Sequence, residues 1–382
     1  METNGGSFTN PSMGGMINFS TNDLMEDYKF SLGFRLPVNF SGLSYFVEFE
    51  NARRRFDWNV LFLRNEQSNL FTVNFVDSSG APIAQSSQLG KTTLSLLQWS
   101  GSYPLDRIRS FRMALSIRQD RLSFKAQDIF GLSIPVSKSH TAMSRVEYVF
   151  DNSISPMLNI RQGYRYKFFG EYFIGLDKKA GGFYNLGLDF RYYTPVYRHI
   201  TFAARLAGAH SGGSSKILYF LGGVDNPLNA RYGNLPTKGD QEYSFMGMAT
   251  SLRGYDQNAR NGNTYAVGNF EMRVPILSTF FSRPPQGSLL KNLQLTAFVD
   301  AGSAWSGLLP DAEAYSKNIV ITQPPNPVIV QLDLPGNSGL ALGYGLGLRT
   351  TLFGYFFRTD VAWNIFDHKT KPMLHFGLGT DF

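Results

Sequence analysis

A loop arginine and two strand acids are the residues of this chain whose types and spacing could do chemistry. Arg253 stands in the polar stretch Ser-Leu-Arg-Gly-Tyr at residues 251–255, and Glu271 and Asp300 stand on the polar faces of the next two predicted strands. A carboxylate on the inner face of a sheet is costly unless it is paired. Arginine can satisfy two carboxylates through its planar fork of N–H donors. These residues therefore predict charge pairing, with the loop folding inward to bring Arg253 to both acids.

The other titratable residues point to no catalytic centre. The five histidines are dispersed, and none stands in a metal-ligand spacing such as His-Glu-x-x-His. No Gly-x-Ser-x-Gly elbow of a serine hydrolase is present. Glu48 and Glu50 share one predicted strand face and could do acid–base work, but we interpret them as wall charges balanced by Arg35, Arg145 and their neighbours. We predict no catalytic, metal-binding or cofactor-binding residue, no cofactor and no enzymatic activity.

Strands with two different faces must position the acids. Residues 264–276 alternate between apolar and polar side chains, as a strand with one apolar face requires. Residues 292–301 do the same, and Asp300 ends their polar face. In residues 264–276 the apolar face carries Ala266, Gly268, Phe270, Met272, Val274 and Ile276, and the other face carries Tyr265, Val267, Asn269, Glu271 and Arg273.

The alternation continues over most of the chain and predicts sixteen strands, an even number as in bacterial barrels, with fourteen and eighteen as the alternative counts. A strand of about ten residues rises roughly 33 Å. Tilted by about 45°, it spans the outward-facing apolar band of a membrane barrel, which is roughly 25 Å tall. The predicted strands are residues 28–36, 43–49, 56–62, 69–77, 90–99, 107–118, 121–130, 143–152, 162–176, 183–194, 200–210, 263–276, 292–301, 340–352, 355–366 and 372–382.

Composition favours a membrane β-barrel. Charged residues make up only 17% of the chain and aromatic residues 15%, and cysteine is absent. No stretch approaches the roughly 18 consecutive apolar residues of a transmembrane helix, whereas alternating strands spread apolar residues out. The net charge of +7 is modest for 382 residues and is scattered, so it does not predict nucleic acid as a partner. A soluble β-sandwich is the structural alternative.

The loop and strand motifs resemble those of the BamA-type outer-membrane barrel superfamily, also called the bacterial surface antigen family. Arg253, Gly254 and Tyr255 match the Arg-Gly-aromatic motif of that family's inward-folded sixth extracellular loop. Glu271 in Gly-Asn-Phe-Glu-Met-Arg-Val-Pro-Ile and Asp300 in Ala-Phe-Val-Asp-Ala-Gly-Ser-Ala-Trp match the acids that hold the arginine. The resemblance covers nearly the whole chain. It implies an all-β fold, a transmembrane antiparallel up-and-down β-barrel with a long extracellular loop folded inward.

The last predicted strand carries a candidate barrel signal. Phe376 and Phe382 lie on the face that we expect to meet lipid, and Gly377 and Gly379 lie on the inward face. Inward glycines weaken a strand and permit a bend. The resemblance implies that assembly machinery reads the final aromatic residue, and that the seam between the first and last strands is weakly paired and can open.

Two regions are predicted along the chain. Residues 1–27 are rich in Gly, Asn and Ser, and we interpret them as a lead-in from a missing periplasmic domain, with the barrel at residues 28–382. Residues 18–27 resemble the segment that joins a TolB-like propeller to the barrel in one branch of the family. The start shows no secretory signal peptide, so we expect the chain to be part of a longer precursor.

Connection lengths predict the orientation of the strands. Short connections such as residues 51–55 and 353–354 would face the periplasm, and the long connections at 211–262 and 302–339 would lie outside. Residues 77–90 and 276–291 are then longer periplasmic turns.

For function, the resemblance implies an outer-membrane protein of a Gram-negative bacterium that inserts, assembles or translocates outer-membrane or surface proteins without ATP. The implied partners are outer-membrane lipid and lipopolysaccharide, client outer-membrane or surface proteins, and accessory periplasmic or lipoprotein subunits. Two alternatives stay open. The chain could be the membrane anchor or secretion pore of a fused passenger domain, or a passive diffusion porin.

Overall fold

In the part of the chain that it describes, the computed structural model of the protein is built almost entirely from β-strands, which form one large sheet and two small ones. No helix in the part of the chain that the structure describes is long and apolar enough to cross a membrane. The described residues are 14–37, 42–76, 82–125, 132, 134–177, 181–229, 231–233, 235, 243–281, 287–310, 321–322, 327–328, 339–365 and 371–382.

The chain divides into two compact units, one with residues 7–148 and 170–183 and one with residues 149–169 and 184–382. The first seven strands are β1 (Gly14–Asn22), β2 (Tyr28–Pro37), β3 (Ser44–Asn51), β4 (Asp57–Val76), β5 (Pro82–Pro104), β6 (Arg109–Lys125) and β7 (Ser137–Asp151). Then follow β8 (Ile154–Met157), β9 (Ile160–Gly175), β10 (Gly182–Tyr197), β11 (Ile200–Gly213), β12 (Lys216–Leu221), β13 (Tyr243–Ala249), β14 (Arg260–Gly262) and β15 (Thr264–Pro275). The chain continues with the helices α1 (Ile276–Phe280) and α2 (Ser288–Lys291), then β16 (Gln294–Trp305), β17 (Ile321–Thr322), β18 (Pro327–Val328), β19 (Ala341–Leu352), β20 (Tyr355–Asn364) and β21 (Met373–Leu378).

Among the described residues the large sheet has sixteen strands, in the order β1-β2-β3-β4-β5-β6-β7-β9-β10-β11-β15-β16-β19-β20-β21 with β8 paired beside β9. The number agrees with the prediction, but the strands that make it up differ. β4 joins two predicted strands into one, and so does β6, while residues 126–130 of the predicted strand 121–130 lie outside the described residues. β1 and β8 make up the difference. The two joined strands carry polar residues at the expected breaks but no Gly or Pro, so nothing in their backbone chemistry ends the strand.

The hairpin of β4 and β5 corrects one predicted turn. Its strands pair without a break from Asp57 opposite Ser102 to Phe75 opposite Ala84. At about 3.3 Å per residue the 20 residues of β4 rise roughly 66 Å, well beyond the roughly 35 Å that a strand tilted by 45° needs to cross an apolar band. The predicted periplasmic turn at 77–90 is therefore wrong. Strand β5 begins at Pro82, so residues 82–90 belong to it, and residues 77–81 lie outside the described residues.

In the second unit, polar side chains are buried and apolar side chains are exposed along the same strands. On β16, Asp300 is fully buried while Leu295 is 48% exposed. On β19, Arg349 is fully buried while Leu346 is 61% exposed. A soluble sheet has the reverse arrangement, with apolar side chains inside. The exposed leucines are favourable if the outward face meets lipid, as in a transmembrane barrel whose interior is polar.

The long connection between β11 and β15 covers the buried polar face. It contributes the small sheet of β12, β13 and β14, and residues 217–221 of β12 are all buried. Tyr219 donates its hydroxyl to Asn185 Oδ1 of β10 at 2.7 Å, and its ring lies 4.7 Å from that of Tyr265 on β15. The loop thus folds inward onto the sheet, as predicted.

Both ends of the sheet differ from the sequence prediction. Strand β1 lies inside the predicted lead-in and pairs antiparallel with β2 from Gly14 opposite Pro37 to Asn22 opposite Lys29, so the sheet begins before residue 28. Residues 1–13 of that lead-in lie outside the described residues. At the other end β21 stops at Leu378, because Gly379 adopts φ +95° and turns the chain out of the strand.

Candidate functional site

Arg253 lies buried between the acids of two neighbouring strands. Its Nε and Nη2 donate to the two carboxylate oxygens of Asp300 at 2.7 and 2.8 Å, and its backbone N–H donates to Asp300 Oδ2 at 3.0 Å. Its Nη2 also lies 2.7 Å from Glu271 Oε1. The arginine side chain is 3% exposed and the two acids 1% or less. The structure therefore brings together all three charged residues that the sequence singles out.

The register of β15 and β16 places the acids on either side of the guanidinium. Glu271 lies opposite Phe298 and Asn269 lies opposite Asp300, so the two carboxylates are diagonal neighbours on one face. The guanidinium carbon stands 3.6 Å from the centroid of the Phe298 ring, a cation–π contact. Asn269 donates to Asp300 Oδ1 at 2.8 Å. Sequence reasoning missed Phe298, although an aromatic residue on an otherwise polar strand face was a usable signal.

Gly254 and Tyr255 fix the loop on the far side of Arg253. Gly254 adopts φ +88°, a left-handed conformation that favours glycine, and its N–H donates to His375 Nε2 on β21 at 3.1 Å. The Tyr255 hydroxyl donates to the carbonyl of Leu342 at 3.2 Å and accepts from its N–H at 3.1 Å. The loop motif is thereby bound to strands β15, β16, β19 and β21.

A glycine on β19 lets the loop backbone approach the sheet. A Cβ added at Gly343 would stand 1.9 Å from the carbonyl oxygen of Arg253, closer than any real Cβ contact. Gly345 and Gly347 follow on the same buried face. An added Cβ at Gly347 would stand 2.2 Å from Asp360 Oδ1. The row of glycines therefore leaves the space that the loop and the buried charges occupy.

Within the described residues, the trio is part of a larger buried network of eight charges, with four arginines and four acids. Arg273 binds Glu271 at 2.8 Å, and Asp360 stands 3.9 Å from Arg253 and 2.8 Å from Arg349. The pairs continue toward the chain end, where Asp381 lies 2.9 Å from Arg349 and 3.6 Å from Arg358. The members are Arg253, Arg273, Arg349, Arg358, Glu271, Asp300, Asp360 and Asp381.

This network is electroneutral in its side chains, since arginine stays protonated and each acid faces at least one guanidinium. Buried charges of this kind are tolerated only when they are paired and hydrogen-bonded. These ion pairs therefore hold the inward loop and the chain end against strands β15, β16, β19 and β20. Among the described residues, no group of three or more His, Cys, Asp or Glu side chains could hold a metal ion.

The residues of the candidate barrel signal divide between two places. Phe376 lies on the exposed face of β21, 38% exposed, and Gly377 lies on its buried face. Phe382 does not continue that outward face, because the chain leaves the strand at Gly379. Its carbonyl accepts a hydrogen bond from Arg273 Nη2 at 3.2 Å, and its ring centroid lies 4.9 Å from the Arg273 guanidinium. The expected position of Phe382 on the lipid-facing side of the strand is therefore wrong.

The other pair of acids weighed from the sequence lies in the first unit. Glu48 accepts a hydrogen bond from Asn59 Nδ2 on the neighbouring strand at 2.6 Å. Arg145, expected to balance it, forms ion pairs with Glu147 and Glu171. These contacts agree with their interpretation as charges of a polar sheet face.

Comparison with known proteins gives the family. The model of the Omp85 superfamily domain matches residues 13–382. The chain belongs to the Omp85 superfamily. This match confirms the resemblance drawn from Arg253 and its partners. No curated protein matches the chain.

Solved structures of BamA and CdiB share its fold at low sequence identity. BamA from Haemophilus ducreyi lacking POTRA domains 1–3 is similar over 94% of this chain, with a TM-score of 0.57 and 12% identity. CdiB from Escherichia coli is similar over 95% with a TM-score of 0.51 and 12% identity, and CdiB from Acinetobacter baumannii over 96% with a TM-score of 0.50 and 13% identity. The chain spans 66%, 59% and 55% of those three chains, in that order. Together with the sixteen-stranded sheet, the similarity confirms the predicted fold class, an all-β transmembrane barrel.

Proposed function

We propose that this Omp85 chain is the membrane barrel of a factor that inserts or translocates outer-membrane or surface proteins without ATP, in the outer membrane of a Gram-negative bacterium. The observation that carries the proposal is the loop held by Arg253 on Glu271 and Asp300 within an Omp85 domain. We term Arg253, Glu271 and Asp300 the clamp. Their buried ion pairs hold the loop against the sheet face without an external energy source.

The proposed barrel acts without a chemical reaction. Its balanced charges stabilise one position of the loop, and main-chain groups at an edge of the sheet can pair with a strand of another protein where that edge is uncovered. We propose that the chain has no catalytic centre and uses no cofactor. Its proposed partners are lipid and lipopolysaccharide of the outer membrane, client outer-membrane or surface proteins, and accessory periplasmic or lipoprotein subunits.

The first experiment is depletion of the full-length protein in its native cell, followed by quantitative proteomics of the outer membrane. Loss of many unrelated barrel proteins would support a general insertion factor. Loss of one or a few surface proteins would identify a dedicated translocator. An unchanged outer-membrane proteome would contradict the proposal and favour a passive porin or an anchor for a fused domain.

A second experiment tests the clamp itself. Cells that carry only Arg253→Ala should accumulate fewer client proteins in the outer membrane than cells that carry Arg109→Ala, because Arg109 pairs with Asp106 at an exposed site. Equal client levels in the two strains, at equal amounts of the variant proteins, would show that the clamp has no part in the function.

A further inference from the structure

A short segment of the inward loop lies along the outer edge of the last strand. The backbone N–H of Leu228 donates to the carbonyl of Phe376 at 2.8 Å, and the N–H of Leu378 donates to the carbonyl of Asn226 at 3.2 Å. These are the two bonds of an antiparallel bridge. Residues 225–229, which we term the edge cap, thus take the place of a neighbouring strand on β21.

Asn229 completes the cap with its side chain. Its Nδ2 donates to the carbonyl of Leu374 at 2.9 Å, and its Oδ1 accepts the N–H of Phe376 at 2.9 Å. A carboxamide that binds one C=O and one N–H of a strand edge reproduces the peptide group of a paired strand. The cap therefore satisfies four backbone groups of β21 that would otherwise form an open, pairing-competent edge.

The root of the cap is anchored, whereas its tip is exposed. The carbonyl of Asp225 accepts a hydrogen bond from Arg358 Nη2 at 2.5 Å, and its side chain accepts one from the Thr250 hydroxyl. Beyond this root, Asn226 adopts φ +48°, and Leu228 is 57% exposed. Four hydrogen bonds with little buried apolar area hold the tip, so it can separate from the sheet at a lower cost than the anchored root.

The cap is also coupled to the clamp. Leu252, directly before Arg253, donates its N–H to the carbonyl of Gly223 at 2.8 Å. His375, between the strand residues that Asn229 binds, accepts the N–H of Gly254. The clamp therefore holds β21 from its buried face while the cap covers its edge.

We propose that residues 225–229 are a displaceable cap on the pairing edge of β21, and that an extended strand of a client protein replaces them. Backbone hydrogen bonds give such strand addition its affinity, so the edge can accept strands of different sequence. The identity of the incoming strand as a client rests on the proposed function. The presence of a releasable cap does not.

A cysteine pair tests the cap directly. Pro227 and Gly377 face each other as an antiparallel bridge flanked by the two backbone bonds. Such a non-hydrogen-bonded pair has Cα atoms about 4.5 Å apart, within disulfide range. The chain has no cysteine of its own, and an added Cβ at Gly377 would meet the end of the flexible Arg358 side chain at 3.0 Å and the carbonyl oxygen of Asp225 at 3.3 Å, so it requires a shift of a few tenths of an ångström. The variant P227C/G377C should form an intramolecular disulfide under mild oxidation.

The probe is a biotinylated synthetic peptide of residues 224–229, added to the purified full chain in detergent. The reduced P227C/G377C protein and an Asn229→Ala variant should capture the peptide, and the oxidised protein should not. The single variants P227C and G377C control for the substitutions. Equal capture by oxidised and reduced protein, or failure of the disulfide to form, would overturn the proposal.

Hydrogen exchange gives a second reading that needs no ligand. Loss of both side-chain bonds in Asn229→Ala should speed amide exchange at Phe376 on the order of tenfold, because the N–H of Phe376 loses its acceptor. Asn261→Ala is the matched control, because Asn261 lies in the same loop and binds Asn258 and Leu235. Unchanged exchange at Phe376 in Asn229→Ala would contradict the cap.

The cellular test separates this inference from the proposed function. If oxidised P227C/G377C blocks client accumulation and a reductant restores it, both stand. If depletion of the wild-type protein leaves the outer membrane unchanged, the proposed function fails while the peptide and exchange results still decide the cap. If client levels are the same with the locked and unlocked cap, replacement by a client strand is refuted.

Discussion

Removal of the Arg253 side chain is the perturbation whose cost the structure defines best. In Arg253→Ala the carboxylate of Asp300, fully buried, loses both guanidinium donors and keeps only Asn269 and one backbone N–H. Glu271 remains paired with Arg273 at 2.8 Å. Breaking a buried ion pair by removing one partner costs about 3–5 kcal/mol. We expect Arg253→Ala to lower the free energy of unfolding by about that amount.

The assay is reversible urea unfolding of the protein folded into lipid vesicles, followed by tryptophan fluorescence. Arg109→Ala is the control, because its ion pair is half exposed and such pairs contribute about 0–1 kcal/mol. The double variant Arg253→Ala/Asp300→Ala completes the cycle. Since it removes the unpaired carboxylate, its cost should fall short of the sum of the single variants by about 2–3 kcal/mol. Strict additivity, or equal stability of Arg253→Ala and Arg109→Ala, would refute the assignment of Arg253 as a buried clamp.

Three further substitutions in the same unit have defined expected outcomes. Gly343→Ala should displace the loop, because the added Cβ would stand 1.9 Å from the Arg253 carbonyl oxygen, and a protease should then cleave the loop well above the wild-type rate. Gly287→Ala is the control. Its added Cβ has no atom within 4 Å, so the protease should cleave it at the wild-type rate. Leu346→Lys on the exposed face should lower the free energy of unfolding in lipid by up to about 4 kcal/mol, as measured by urea unfolding, and an unchanged value would place that face in water. Asp381→Ala should cost about 3–5 kcal/mol in the same assay because it leaves two buried guanidinium groups short of a partner, and a neutral effect would show that the chain end is not part of the network.

The acids of the clamp could be predicted because the information is local. Alternation over a dozen residues assigns Glu271 and Asp300 to the polar faces of their strands, and a buried carboxylate demands a cation. The structure adds the register of β15 against β16, which depends on pairing between residues far apart in sequence. Phe298 could not be assigned to Arg253 without that register, and Asp360 could not be assigned to it without the pairing of β20 with β19.

The sequence predicts strand boundaries poorly where the polarity of the side chains and the hydrogen bonding of the backbone disagree. Residues 64–68 are polar, but they continue β4 because backbone hydrogen bonding does not require apolar side chains. At the chain end the alternation continues through Phe382. The last residues nevertheless leave the strand, because Gly379 is left-handed and Asp381 forms ion pairs with Arg349 and Arg358. Tertiary charge pairing overrides the local pattern there.

The charge balance of the buried network restricts how this family member can change. Each single substitution of one of its eight charges leaves an odd charge in a site with little access to water, and the penalty is comparable to a large part of the stability of a domain. A neutral route must replace one cation and one anion together. Related sequences should therefore keep or lose these residues as opposite-charge couples, so that their total stays at zero even where no single position is retained.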